Sequence, residues 1–109
     1  DCLFCKILAK EIPSECVVEN DNVYAFKDIY PQAKDHILFI HKSHSKNLNE
    51  MNDQEITDVF KAIKDYAKSS NLEESGYRVV TNIGKHGGQT VFHTHFHVLS
   101  GEQLKGFGA

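Results

Sequence analysis

Seven consecutive residues, His93-Thr94-His95-Phe96-His97-Val98-Leu99, place histidine at every second position. A β-strand turns successive side chains to opposite faces, so this pattern predicts a strand, read here as TVFHTHFHVL over 90–99. His93, His95 and His97 then share one face, roughly 6.6 Å apart at about 3.3 Å rise per residue. Thr94, Phe96 and Val98 occupy the other face, which is the one to be buried. A merely solvated stripe would ordinarily be Thr, Lys and Glu. Three imidazoles in a row can instead act as nucleophile, proton donor and metal ligand. Three histidines could also hold a catalytic zinc with an open position, and the strand pattern alone leaves that choice open.

The rest of the chain supplies partners for such a strand. CVVEN and NVYAF flank the turn formers Asn20-Asp21-Asn22 and predict a hairpin. HILFIH (36–41) is apolar on both faces, as a central strand should be. YRVVTN (77–82) is a further strand, and residues 4–10 form a short helix ending before Pro13. Asn52 followed by Glu55 resembles a capping box, and Ile56, Val59, Phe60, Ile63 and Ala67 recur at helical spacing, so 53–70 is the long helix. Asp28 to Lys34, with Pro31, is a loop. The chain of 109 residues, 40% hydrophobic, suits a single domain over 1–109. About five strands with one long and one short helix give an antiparallel α+β fold.

Charge narrows the partners. Twelve Lys+Arg against 15 Asp+Glu leave a net charge of −3, without the basic footprint of a nucleic-acid binder. The longest stretch free of charged residues, His86 to Gly101, is rich in His, Gly, Thr and Gln and is no membrane span. The first residues, DCLFCKILAKEIP, lack the basic start and long apolar core of a signal peptide. Three cysteines are too few for a disulfide scaffold, and a reducing compartment is the default. The expectation is a cytoplasmic protein, with the nucleus also open to it. Cys2 and Cys5 form a C-x-x-C pair suited to one metal ion but short of two ligands. Two small apolar side chains beneath a helix would look the same.

The loop NIGKHGGQT (82–90) precedes the histidine strand. Its glycines allow backbone N–H groups close to an anion, and Thr90 adds a hydroxyl; a plain connection needing positive φ is the alternative. The common nucleotide loops, G-x-x-x-x-G-K-[ST] and G-x-G-x-x-G, are absent from the sequence.

Together these blocks resemble the histidine triad family, and within it the Hint-like branch. HTHFHVL matches the signature, with Thr94 as the polar departure. FCKILAKEIP, AFKDIYPQAKDHILFIHKSH and VVTNIGKHGGQTVFHTHFHVLSG match family blocks in family order. The resemblance implies a homodimer whose sheets join, and a hydrolase of purine nucleoside 5′-monophosphate phosphoramidates, with AMP joined to an amine or acyl group. It implies His95 as the nucleophile, His97 at the α-phosphate and in proton movement, and His36 as the supporting histidine. Asn82, Gly88, Gln89 and Thr90 would bind the phosphate, and Asp28 the ribose hydroxyls. Phe4, Ile7, Ile12, Ile29 and Leu38 would wall the base. Cys2, Cys5, His44 and His93 would hold a structural zinc, while the chemistry itself needs no cofactor.

Departures from the family pattern are specific. His41 stands where proline is usual and could compete with His44 for the metal. Thr90 replaces a commoner serine. The tail SGEQLKGFGA lacks a tryptophan seen in some relatives, which bears on leaving-group preference. His86 is expected to be only a loop residue. Taken singly, Asp28 could be a turn residue, Asn82 a strand-end polar group and His36 a hydrogen-bonded core histidine. Two further functions remain open beside the phosphoramidase: a nucleotide-binding interaction protein with incidental hydrolysis, and a dinucleoside polyphosphate hydrolase.

Overall fold

The apolar run HILFIH lies in β3 (Asp35–His41), the middle strand of a five-stranded antiparallel sheet in the computed structural model, which describes residues 2–109. The sheet order is β1 (Cys16–Glu19), β2 (Val23–Lys27), β3, β5 (His95–Ser100), β4 (Arg78–Val80). Residues paired across neighbouring strands share a face. Ala25 pairs with Phe39, and Phe39 with Phe96; Ile37 pairs with Val98. This face packs on α2 (Asp53–Ser69) through Val59, Ala62 and Ile63. The opposite face carries Tyr24, Phe26, Leu38 and Ile40, covered by Phe4 and Ile7 of α1 (Leu3–Leu8). Both faces of β3 are therefore buried, which is why its sequence does not alternate.

Local chemistry sets the ends of these elements. The Asn20 Oδ1 accepts the N–H groups of Asn22 and Val23, each at 2.8 Å, and closes the β1–β2 hairpin. α2 starts on a full capping box: Asn52 Oδ1 accepts from the Glu55 N–H, and Glu55 Oε1 from the Asn52 N–H. A short α3 (Leu72–Ser75), absent from the sequence expectation, follows Asn71, which sits in the left-handed region at φ 58°. α1 ends two residues earlier than expected, since Lys10 also takes positive φ (65°) and breaks the helical run.

Two strands are shorter than expected. YRVVTN contributes only Arg78–Val80. The histidine strand begins at His95, not at Thr90. Upstream of it, Thr94 leaves the ladder: its N–H donates to the Ser45 carbonyl at 2.8 Å, and its hydroxyl lies 2.6 Å from that of Ser45. Both residues are buried, so the polar departure at Thr94 is a satisfied internal pair. Among the described residues, no helix is long and apolar enough to cross a membrane.

Candidate active site and metal cluster

The register of the sheet decides which histidines meet. Leu38 pairs with His97 and Ile40 with His95, so His36, Leu38, His95 and His97 line one face. Beside them lies a cavity of about 450 Å³. Phe4, Ile7 and Ile12 form one wall, Phe26 and Leu38 the floor, and Asp28, Ile29 and Thr90 stand around it. His36, His95 and His97 project into the same space. Ile29, at 82% exposure, forms part of an apolar rim open to solvent.

Hydrogen bonds fix the proton on each ring. His95 Nδ1 is 2.8 Å from the His93 backbone oxygen. A carbonyl only accepts, so Nδ1 carries the hydrogen and the neutral ring keeps its lone pair on Nε2. Burial lowers the His95 pKa, which favours that neutral ring, although the His93 carbonyl pulls the other way. The Gln32 N–H donates to His36 Nδ1 at 2.9 Å, so neutral His36 has its proton on Nε2. That Nε2–H donates to His97 Nδ1 at 2.8 Å, which leaves His97 with an Nε2–H of its own. Burial, then the neighbouring His95 and His36, push the His97 pKa down to about 4. Burial also lowers His36, against the opposing pull of Asp28, whose Oδ2 is 3.4 Å from Nε2. The pair His95 and His97 thus offers one lone pair and one N–H side by side, with ring centroids 5.0 Å apart.

His93 faces elsewhere. Its ring is fully buried, and Nε2–H donates to the His41 carbonyl at 3.2 Å. Nδ1 lies 3.3 Å from Cys2 Sγ, 3.6 Å from Cys5 Sγ and 3.1 Å from His44 Nδ1; Cys5 Sγ lies 3.4 Å from His44 Nδ1. Bonds of about 2.0–2.3 Å at tetrahedral angles set donors roughly 3.3–3.8 Å apart. The four residues therefore fit a closed Cys₂His₂ site, with the free Nδ1 of His93 already aimed inward. His41 does not compete. Its Nε2 is 3.0 Å from Asp58 Oδ2, and its Nδ1 accepts from the Ser43 N–H. Nor do the three alternating histidines converge on one ion: His93 belongs to the cysteine cluster, whereas His97 groups with Asp28 and His36.

Comparison with known proteins decides the ancestry. The HIT domain family matches residues 9–104. The chain belongs to the HIT domain family. It is 38% identical to the purine nucleoside phosphoramidase of Escherichia coli K12 over 105 residues, covering 94% of this chain and 88% of the relative. A HIT family hydrolase from Clostridium thermocellum has 42% identity and a TM-score of 0.91, covering 98% of this chain and 96% of the other. A histidine triad protein from Clostridium difficile has 40% identity and a TM-score of 0.92, covering 99% and 96%.

In this HIT domain, all six residues expected around base and ribose, Phe4, Ile7, Ile12, Asp28, Ile29 and Leu38, line the cavity. Asp28 also does the work of a turn residue, since Oδ1 accepts the Tyr30 N–H at 2.8 Å. His36 is both a hydrogen-bonded buried histidine and a cavity residue. The expected phosphate group is divided. Thr90 lines the cavity, whereas Asn82, Gly88 and Gln89 are not among its lining residues. The Gly88 N–H donates to the Lys85 carbonyl and the Gln89 N–H to that of Gly84, so both donors are engaged within the loop. Gln89 turns its amide inward. Oε1 accepts from the Gly84 N–H and from Asn47, and Nε2 donates to the Lys46 and Val91 carbonyls. Gly87 is needed because a Cβ there would run into the Ile83 carbonyl.

Other cavity or supporting residues escaped the sequence. Gln32 acts through its backbone N–H, which no side-chain pattern reports. Ser45 is visible only through its contact with Thr94. Phe26 was accessible in principle, because it shares a face with its partner Leu38 in β3.

Proposed function

We propose that this HIT domain is a purine nucleotide-binding hydrolase that cleaves nucleoside 5′-monophosphate phosphoramidates through a nucleotidyl intermediate on His95. The observation that carries it is the His93 carbonyl on His95 Nδ1, which leaves Nε2 unprotonated in a cavity with an apolar wall. The Escherichia coli relative, a purine nucleoside phosphoramidase, supports the same substrate class.

In this mechanism His95 Nε2 attacks phosphorus as the P–N bond breaks. The leaving amine takes the bond's electron pair and a proton from water, guided by a hydrogen bond from His97 Nε2–H. The intermediate ring is cationic, and the His93 carbonyl dipole on its Nδ1–H steadies that charge. Water then attacks phosphorus and passes a proton to the hydroxide left when the amine was protonated; the P–Nε2 bond breaks, and neutral His95 returns. Asp28 would accept a ribose hydroxyl, Thr90 would donate to the phosphate, and the Phe4–Ile7–Leu38 surface would hold the base.

Zinc is the metal we assign to the Cys2–Cys5–His44–His93 cluster, since two thiolates and two imidazoles suit it and leave no open position for chemistry. Reduced thiolates in turn suit a cytoplasmic setting. A homodimer with a continuous sheet would pair copies at an edge, and β1 and β4 are the two edges.

The experiment is rapid quenching with adenosine 5′-phosphoramidate followed by peptide mass spectrometry. An AMP adduct on the peptide containing His95, and its loss together with turnover in His95→Ala, is expected. Undiminished turnover by His95→Ala would overturn the mechanism. Light scattering tests the dimer, with a monomeric mass as the contrary result.

A further inference from the structure

Two structural dependencies meet at the cysteine–histidine cluster. The first concerns the nucleophile. His93 lies outside the hydrogen-bonded ladder, since β5 begins at His95, yet its carbonyl fixes the His95 proton. Two things hold the His93 peptide: the Thr94 N–H on the Ser45 carbonyl from the backbone side, and the His93 side chain, with Nε2–H on the His41 carbonyl and Nδ1 among Cys2, Cys5 and His44. The second concerns the cavity wall. α1 has only six residues, far too short to be stable alone. Cys2 caps it and Cys5 lies within it, so the cluster and the apolar contacts of Phe4 and Ile7 anchor it. Phe4 sits between the two cysteines in sequence. Its ring meets His95 edge-on at 5.0 Å, His93 at 5.9 Å and Phe26 at 5.4 Å.

We infer that the Cys2–Cys5–His44–His93 cluster and the cavity are energetically coupled: metal at the cluster raises the cavity's affinity for nucleotide, and nucleotide raises the cluster's affinity for metal. Phe4 and His93 are the positioning residues. The proposal rests on the cavity being the nucleotide site. Metal orders α1, and so presents Phe4 and Ile7 to a base. It also holds the His93 carbonyl against His95 Nδ1. A base packed on Phe4 orders α1 in return, and so brings Cys2 and Cys5 together. Linkage requires the two effects to be equal in factor.

The test uses zinc and AMP. AMP affinity is measured by calorimetry on zinc-loaded and chelator-treated protein. Zinc affinity is measured against a chromophoric chelator, with and without saturating AMP. The expected result is a gain of about fivefold or more, the same in both directions. AMP binding of equal strength in both states would overturn the coupling while leaving the nucleotide site intact. AMP binding in neither state would overturn both. Phe4→Leu keeps an apolar residue on α1; in it, the effect of AMP on zinc affinity should fall toward onefold, and full retention would remove Phe4 from the path. Imidazole ¹⁵N shifts provide a readout that bulk stabilisation would not move. Zinc-loaded protein should show His95 as the pure Nδ1–H tautomer, and zinc-free protein a mixture. The same pure tautomer in both would overturn the role of His93.

Discussion

His36 Nε2 and His97 Nδ1 are 2.8 Å apart, and the Gln32 N–H on the far side of His36 settles which of them donates. The consequence is directional: His97 must present an N–H, not a lone pair, on its remaining nitrogen.

Replacing His97 by alanine should therefore hurt in proportion to the difficulty of the leaving group. With an alkylamine leaving group, the loss in kcat should be about 10²-fold or more. With an aryloxide of low pKa the loss should be several-fold at most. Parallel assays on two AMP conjugates provide the check, and equal losses on both would argue against a role for His97 at the leaving group.

The same burial makes stability depend on pH. His97 has an ordinary value of 6.5 and falls to about 4 in the fold, and His36 moves in the same direction. Between those values the unfolded chain binds the proton and the folded one does not. Stability present above pH 6.5 should be lost as pH falls toward 4, then level off as far as His97 is concerned. Urea midpoints from pH 7 to 4 should decline, with a shallower slope in His97→Gln. A parent midpoint that rises on acidification over that range would contradict this.

Cys2→Ser should lower zinc content and the melting temperature together, because metal that binds only the folded chain stabilises it by mass action. Cys16 is exposed and lies outside the cluster, so Cys16→Ser should change neither. Elemental analysis beside calorimetric melting distinguishes the two cysteines; equal zinc in parent and Cys2→Ser would remove Cys2 from the site.

Packing and capping should differ in scale. Phe39 is fully buried between its β2 and β5 neighbours and α2, so Phe39→Ala should cost about 3–5 kcal/mol. Asn52→Ala removes one arm of the capping box and should cost about 1 kcal/mol. Denaturant unfolding measures both, and the ranking fails if Asn52→Ala is the more damaging.

The sequence exposed whatever repeats with a period. The α2 register and its cap, the two-sided burial of β3 and the side-by-side His95 and His97 all follow from spacing. The resemblance to a family assembled Cys2, Cys5, His44 and His93, distant in sequence but neighbours in space. Periodicity misled at residues 90–94, because Thr94 bonds to Ser45 and no ladder forms there. Gly88 and Gln89 were expected to turn their N–H groups to an anion, but carbonyls inside the same loop take them. Such contacts depend on one turn's conformation, and composition carries no trace of it.

Gln89 uses both donors and its acceptor oxygen at once, toward two carbonyls and two N–H groups. No other side chain of that length reproduces this assignment. Glutamate would set an oxygen against the Lys46 and Val91 carbonyls, so spontaneous deamidation here would repel the strap it now fastens. Position 89 therefore joins the 82–90 loop to the Lys46 segment through an amide that no carboxylate can replace.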